Sequence, residues 1–500
     1  MSVKLIISSK KNLQYKYGTK LSQVEAALGK MVKADKARKI DTRIVYVDDA
    51  ASCKAAGIKK VPNMGQAACK KAVDDLFAKH MPAYTMLLGC HDVFPLQDID
   101  NPAEDEDFTV PSDLPYACDA PYSRSISAFT GPGRVVGRLP DLPGKQKTPA
   151  YILTVLTNAM EHKPVSANVY HKYFAVSAQV WRKSTEMTLR TLFSDSKALV
   201  LSPKAKETTD ATYTKAQLKP SLHFYNCHGA NTDPNYYGQR GSNNYPVALN
   251  SGNLIGNITK GTVAAAECCY GAQLYDAAPL GVGQAVCYNY LGEGAIAFVG
   301  SSTIAYGPAD SNALADLITQ YYVRSILKGA SSGRAFLEAR QQFLTDSGPQ
   351  LDPYELKTLA QFYLLGDPSV QPAIDEDVMT TKIMAMNTIS NSRAALFSKG
   401  MSLKQNLQPS HKAKRFVKSS LDKEMQDVLN AVNFGTPDQE FLYGVDEMSG
   451  VSGLQKKLMG QDARYRAFIK HKEGAPFETK VLVVKEGKDK LLGWRLYERR

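Results

Sequence analysis

The feature that most constrains this chain is the alternation of short apolar runs with longer amphipathic stretches. Residues 3–8 (VKLIIS) predict a buried strand, and residues 21–36 put their apolar side chains on one helical face. Residues 42–47 (TRIVYV) predict the next strand, 64–79 the next helix, and 83–88 (AYTMLL) a third strand. Strand and helix periods taking turns in this way point to a parallel sheet covered by helices. Residues 98–147 interrupt the rhythm with Pro, Gly and Asp, and a long helix is expected over 148–162.

The pattern then restarts. Strands are expected at 172–177 (KYFAVS), 221–226 (SLHFYN), 261–267 (GTVAAAE) and 295–300 (AIAFVG), with helices at 184–193, 282–291, 312–328 and 333–345. Residues 373–420 are poor in aromatics and rich in Ser, Lys, Asn and Met, the composition of a linker. Beyond it, a helix at 421–433 and strands at 479–484 and 491–497 predict a small α+β module. The expected division is therefore 1–147, an N-terminal α/β subdomain; 148–372, a second α/β subdomain; 373–420, a linker; and 421–500, a basic module.

Composition removes several classes. At 44% apolar and 22% charged residues the chain is ordinary globular protein, not a disordered or collagen-like one. The longest apolar candidate, residues 294–305, falls short of the roughly 18 residues a membrane helix needs. The opening MSVKLIISSKKNLQ turns basic too early for a signal peptide, so the expected compartment is the cytosol and no membrane partner is expected. The net charge is +12, and residues 401–500 carry 19 Lys+Arg against 13 Asp+Glu. A basic balance can serve an acidic partner or nucleic acid, but no nucleic-acid-reading motif accompanies it, so direct nucleic-acid binding is not expected. The cluster from Lys412 to Arg415 reads as solvated linker or as a processing site.

The eight cysteines form no CxxC or CxxH spacing, so neither a structural zinc site nor a disulfide framework is expected. Two loops stand out. One follows the 221–226 strand and reads Cys227-His228-Gly229-Ala230; the other follows the 261–267 strand and reads Cys268-Cys269-Tyr270-Gly271. Loops at the carboxyl ends of adjacent parallel strands share one rim. A thiol on one and an imidazole on the other can form a nucleophile–base pair, because the thiolate attacks and the imidazole moves the proton. Glycine after the histidine lets a backbone N–H approach an oxyanion. Taken singly, an HG turn or a buried CC pair is ordinary packing; the order and the spacing together favour chemistry. His223, inside its strand, is expected to be packed, and His91-Asp92 to be structural.

An apolar strand ending in His-Gly, followed by one ending in Cys, resembles the caspase-like (clan CD) cysteine peptidases. The closer likeness is to the gingipain-type branch, peptidase family C25. It rests also on residues 84–95 (YTMLLGCHDVFP), SDLPY at 112–116, VGRLP at 136–140, AFVGSS at 297–302 and LGDPS at 365–369, over roughly residues 1–372. The resemblance implies a caspase/gingipain-like α/β fold and a thiol protease hydrolysing proteins through a thioester acyl-enzyme. It assigns the nucleophile to Cys269, the histidine to His228 and the oxyanion glycine to Gly229. Cys268 is expected to point into the core, since neighbours on a strand alternate sides.

The resemblance also carries two departures. Where the family has an acidic residue steadying the histidine, this chain has Gln179. For a basic P1 side chain, the residue on the acyl side of the cleaved bond, Glu186 and Asp310 are alternative binders, and Trp181 is expected either at the pocket wall or in ordinary packing. No cofactor is implied; structural calcium accompanies such folds, but no cation loop is evident. A regulatory or activating partner acting through the basic module is expected. The rival reading is a catalytically idle caspase-like interaction module that binds an acidic partner or nucleic acid through that module.

Overall fold

The structure is a computed structural model that describes residues 1–204, 210–374, 382–412, 423–445, 463–475, 477–487 and 490–500, with the backbone alone for 382–392. Its centre is one ten-stranded sheet. In spatial order the strands are Ile40–Tyr46, Ser2–Ser8, Tyr84–Leu88, Val136–Leu139, Phe362–Gly366, Ala297–Ser301, Val263–Ala266, Leu222–Asn226, Tyr173–Ala178 and Leu199–Ser202. Every pair is parallel except one: Phe362–Gly366 runs antiparallel to Ala297–Ser301. That pair joins the strands of the first half to those of the second. The expected mixed α/β, mostly parallel architecture is what the chain adopts.

The central strands read as unbroken apolar runs because helices cover both faces. All residues of Tyr173–Ala178, Val263–Ala266 and Ala297–Ser301 are buried. The covering helices bury one stripe each. In Leu21–Ala37 the buried residues Leu21, Val24, Leu28 and Met31 recur at helical spacing. Local chemistry sets the ends: Ser9 and Ser331 cap their helices with side-chain oxygens, and Asp352 with Glu355 forms a capping box.

Residues beyond 374 depart from the sequence expectation. Within the stretch read as linker, Lys382–Asn406 is a helix and Gln408–Lys412 a strand. Ala413, Lys414 and Arg415 of the basic cluster lie outside the described residues. A second sheet runs, in spatial order, Tyr306–Gly307, Leu491–Arg499, Thr479–Glu486, Arg464–His471, Gln439–Val445, Gln408–Lys412 and Gln350–Leu351. The helix Lys423–Ala431 packs Met425 and Leu429 on Phe468, Leu482 and Val484. The two outermost strands of this sheet come from the 148–372 segment, so the C-terminal strands are stitched to it by backbone hydrogen bonds. Among the described residues no helix is long and apolar enough to cross a membrane.

Candidate active site

Tyr173–Ala178, Leu222–Asn226, Val263–Ala266 and Ala297–Ser301 run parallel, so the loops that follow them open on one rim. Those loops deliver Trp181, His228, Cys269 and Tyr306 to one place. The two predicted loops touch. A Cβ built on Gly229 would sit 1.8 Å from the carbonyl oxygen of Cys269 and 3.4 Å from Cβ of Cys268. Only glycine fits there, for a reason beyond oxyanion access: the backbones of the histidine and cysteine loops are in contact. The next turn is tight as well. Tyr270 has φ +52°, a left-handed conformation costly for a residue with a Cβ, and its N–H donates to Thr303 O at 2.9 Å.

Cys269 and His228 are both fully buried. The N–H of Ala305 donates to Cys269 Sγ at 3.2 Å. Cys268 lies in the apolar core, with the Cys227 thiol beside it. The ring of His228 lies between Trp181, centroids 4.3 Å apart, and Phe477, stacked at 5.0 Å. Its Nε2 is 2.7 Å from Gln239 Oε1. The amide of Gln239 is keyed, because its Nε2 donates to Gly241 O at 2.9 Å and to Glu478 Oε1 at 3.1 Å. Gln239 Oε1 therefore accepts the Nε2–H of the imidazole, and Nδ1 keeps its lone pair. That Nδ1 has no hydrogen-bond partner. Burial, with the Arg500 and Arg499 cations opposing protonation, pushes His228 down to about 3. Burial pushes the Cys269 thiol up to about 11, although Arg499 favours its thiolate. Both groups are neutral in this state.

A deep polar pocket adjoins the pair, and Arg500 fills it. The Arg500 guanidinium is fully buried, pairs with Asp316 at 2.8 Å, donates to Pro308 O at 2.8 Å, and lies 4.5 Å over the Trp181 ring. Asp316 sits in the first turn of Ala315–Leu327, where the helix N-terminus favours a carboxylate. Ser184 Oγ, 3.3 Å from Asp316, completes the wall. Glu267 lies behind them; burial, and then the neighbouring Asp316, push its carboxyl well above the usual range. Gly307 makes the room: a Cβ there would meet the Arg500 guanidinium at 2.4 Å and Asp316 Oδ2 at 2.7 Å.

The rim therefore brings together Cys269, His228, Gly229 and Trp181, and leaves out Glu186, Asp310 and Gln179, the other expected site residues. Glu186 is on the outer face of Arg182–Phe193, engaged one turn away on either side by Arg182 (2.7 Å) and Arg190 (3.2 Å). Asp310 is solvent-exposed in the loop before the next helix. Gln179 lines a shallow groove with Lys197, Leu199 and Lys204, and the amide that holds the imidazole is Gln239 instead. Asp316, Glu267, Gln239 and Gly307 escaped the sequence reasoning. Glu267 offered a signal, an acid closing an apolar strand immediately before the cysteine pair. His223 is packed as expected, with Nδ1 2.6 Å from the Tyr290 hydroxyl and Nε2 2.9 Å from Pro220 O. Among the described residues no group of three or more His, Cys, Asp or Glu is placed to hold a metal ion; the acidic pair Asp105 and Asp107 is taken up by Lys357.

The mostly parallel α/β sheet thus presents a thiol and an imidazole on touching loops. Residues 4–373 match peptidase family C25, and the chain belongs to that family, which is one of cysteine-type endopeptidases. Among solved structures, one described as "Structure of Protease" is similar at 14% identity, covering 100% of this chain and 97% of its own, with a TM-score of 0.48. No curated protein matches the chain.

Proposed function

We propose that the chain is an endopeptidase acting through Cys269 and His228 on protein substrates with a basic P1 residue. The observation that carries this reading is the contact of Gly229 with the Cys269 carbonyl, beside a pocket whose buried carboxylate, Asp316, grips an arginine. The bare Nδ1 of His228 takes the thiol proton, and Cys269 Sγ attacks the scissile carbonyl carbon. The backbone N–H groups of Gly229 and Cys269 hold the oxyanion, a contribution of about 3 kcal/mol per donor. The C–N bond then breaks as the imidazolium protonates the leaving amine. Water, deprotonated by His228, hydrolyses the thioester and returns the thiol. Gln239 is a positioning residue: it fixes the tautomer that leaves Nδ1 free.

In this reading residues 148–372 supply the reacting groups, 1–147 buttress them and 421–500 cover them. All eight cysteines are free and buried, which suits a reducing compartment such as the cytosol. An idle interaction module is the second reading, favoured by Gln239 standing where a carboxylate would steady an imidazolium charge. A thiol-reactive peptide probe ending in arginine separates the two. Labelling is expected to vanish in Cys269→Ala and to persist in Cys268→Ala, with hydrolysis following the same pattern. Equal labelling of both variants overturns the assignment.

A further inference from the structure

We infer that residues 491–500 are a built-in pseudosubstrate, which lies in the active site as a peptide substrate does and keeps the enzyme latent until it is displaced. The inference rests on the peptidase reading above and adds its regulation.

Leu491–Arg499 pairs antiparallel with Tyr306–Gly307, in the register Arg499 with Tyr306 and Glu498 with Gly307. Strand addition to an exposed edge is a general way of holding an extended peptide: main-chain bonds give affinity and side-chain pockets give specificity. The pairing continues past the strand, because the N–H of Arg500 donates to Ala305 O at 2.9 Å. Ala305 also donates to the sulfur of Cys269. The backbone of Arg500 is thereby held one residue from the nucleophile, and its side chain drops into the Asp316 pocket.

The remaining side chains fit the same description. Arg499 pairs with Glu106 at 2.9 Å, and Glu498 accepts the indole N–H of Trp181 at 3.0 Å. Each of the last three residues thus meets its own partner on the catalytic segments. The rest of the basic module is turned the same way. Arg495 pairs with Glu355, and Lys412 with Glu104 at 2.5 Å. Phe477 and Glu478 close over His228 from the other side, with the Tyr245 hydroxyl donating to Glu478 at 2.8 Å. Four described cations of residues 412–500 thus pair with acidic groups of residues 1–372, and Cys269 and His228 are buried.

An alternative is that residues 491–500 are permanent structure. One feature argues against it: the guanidinium of Arg500 bonds through Nη2 alone, while Nε and Nη1, both buried, have no partner. Each orphaned donor on a buried cation costs free energy, which displacement of the strand relieves. This one is held well enough to dock and loosely enough to leave.

A tethered competitor works at an effective concentration on the order of millimolar, so it raises the apparent KM and leaves kcat unchanged. The test uses the full chain and its Arg500→Ala variant. Glu-Arg-Arg coumarylamide, the sequence of residues 498–500, reports hydrolysis; iodoacetamide with peptide mass mapping reports access to Cys269. The variant is expected to alkylate Cys269 and to cleave the coumarylamide roughly tenfold faster or more, through apparent KM. Added peptide LLGWRLYERR should restore the block, and the same peptide ending in alanine should not. If the variant unfolds, shown by circular dichroism, Arg500→Lys replaces it: a shorter reach to Asp316 should give a partial release. Wild-type protein that alkylates Cys269 as fast as the variant overturns the pseudosubstrate. Faster alkylation without hydrolysis keeps the occlusion and overturns the peptidase reading.

Discussion

Among the described residues two arginines expose no surface, Arg138 and Arg500, one in each half of the molecule, and they are treated in opposite ways. Arg138, on Val136–Leu139, uses all three guanidinium nitrogens. Nε and Nη2 grip Asp113 at 2.9 and 2.6 Å, and Nη1 donates to the carbonyls of Gly89 and Phe94 at 2.9 and 2.7 Å. Arg500 uses one nitrogen, towards Asp316 and Pro308. The first arginine belongs to strand and loops that close a core; the second sits at the end of a strand that pairs with Tyr306–Gly307 on one side and with Thr479–Glu486 on the other. Burial is the same at both sites; the satisfaction of the donors is not.

The largest effect that tests this contrast is on stability. Asp113→Ala leaves Arg138 buried without its counter-ion, with no way out short of unfolding, so urea unfolding should register a loss of about 3–5 kcal/mol. Asp316→Asn deprives Arg500 in the same way, but the guanidinium can leave with its strand. The loss there should be roughly 1–2 kcal/mol, with Cys269 becoming alkylable. Equal losses at both sites would erase the distinction.

The second test concerns specificity. In the Arg500→Ala background, Asp316→Asn removes the buried carboxylate that pairs with Arg500 in the intact chain and that is proposed to hold a P1 arginine. The value of kcat/KM for arginine substrates should fall by about 2–4 kcal/mol, because a charged donor is left without its counter-ion. Cleavage after an uncharged P1 residue should change little. If both substrates lose equally, Asp316 supports the fold and does not select.

The sequence made the rim legible because parallel strands advertise themselves. Runs such as VAAAE and AIAFVG can only be buried on both faces, and their ends must then lie on shared edges. What stayed hidden had a physical reason each time. Phe362–Gly366 is too short and apolar for its direction to be read, yet it reverses the sheet. Glu186 looked available although Arg182 and Arg190 stand four residues away on either side, the spacing at which a helix pairs them. Asp316 looked like any first-turn acid, and nothing local says that a distant arginine ends against it. Gln239 comes from the strand pair beyond the histidine loop, so no strand-end argument reaches it. The helix in the 373–420 stretch was missed because a Ser- and Asn-rich composition carries no apolar stripe.

The smallest effect, and the sharpest, is on pH, and it compares two buried histidines. Burial lowers both, His223 to about 4 and His228 to about 3. A histidine lowered in the folded state stabilises it fully above its unfolded value near 6.5; that stability is lost as pH falls from 6.5 towards the folded values. For His223 the only relief is to open the strand that contains it, since Tyr290 and Pro220 hold both nitrogens. For His228 relief needs only that Phe477, Glu478 and residues 499–500 lift. Between pH 6.5 and 5, hydrogen exchange at residues 305–307 and 499–500, corrected for the chemical rate, should therefore speed up by an amount worth roughly 1–2 kcal/mol of local opening. His228→Gln should abolish that local response and His223→Gln should leave it intact. Exchange that rises evenly across the whole chain in both variants would mean that the cover does not open on its own, and that the second arginine is as fixed as the first.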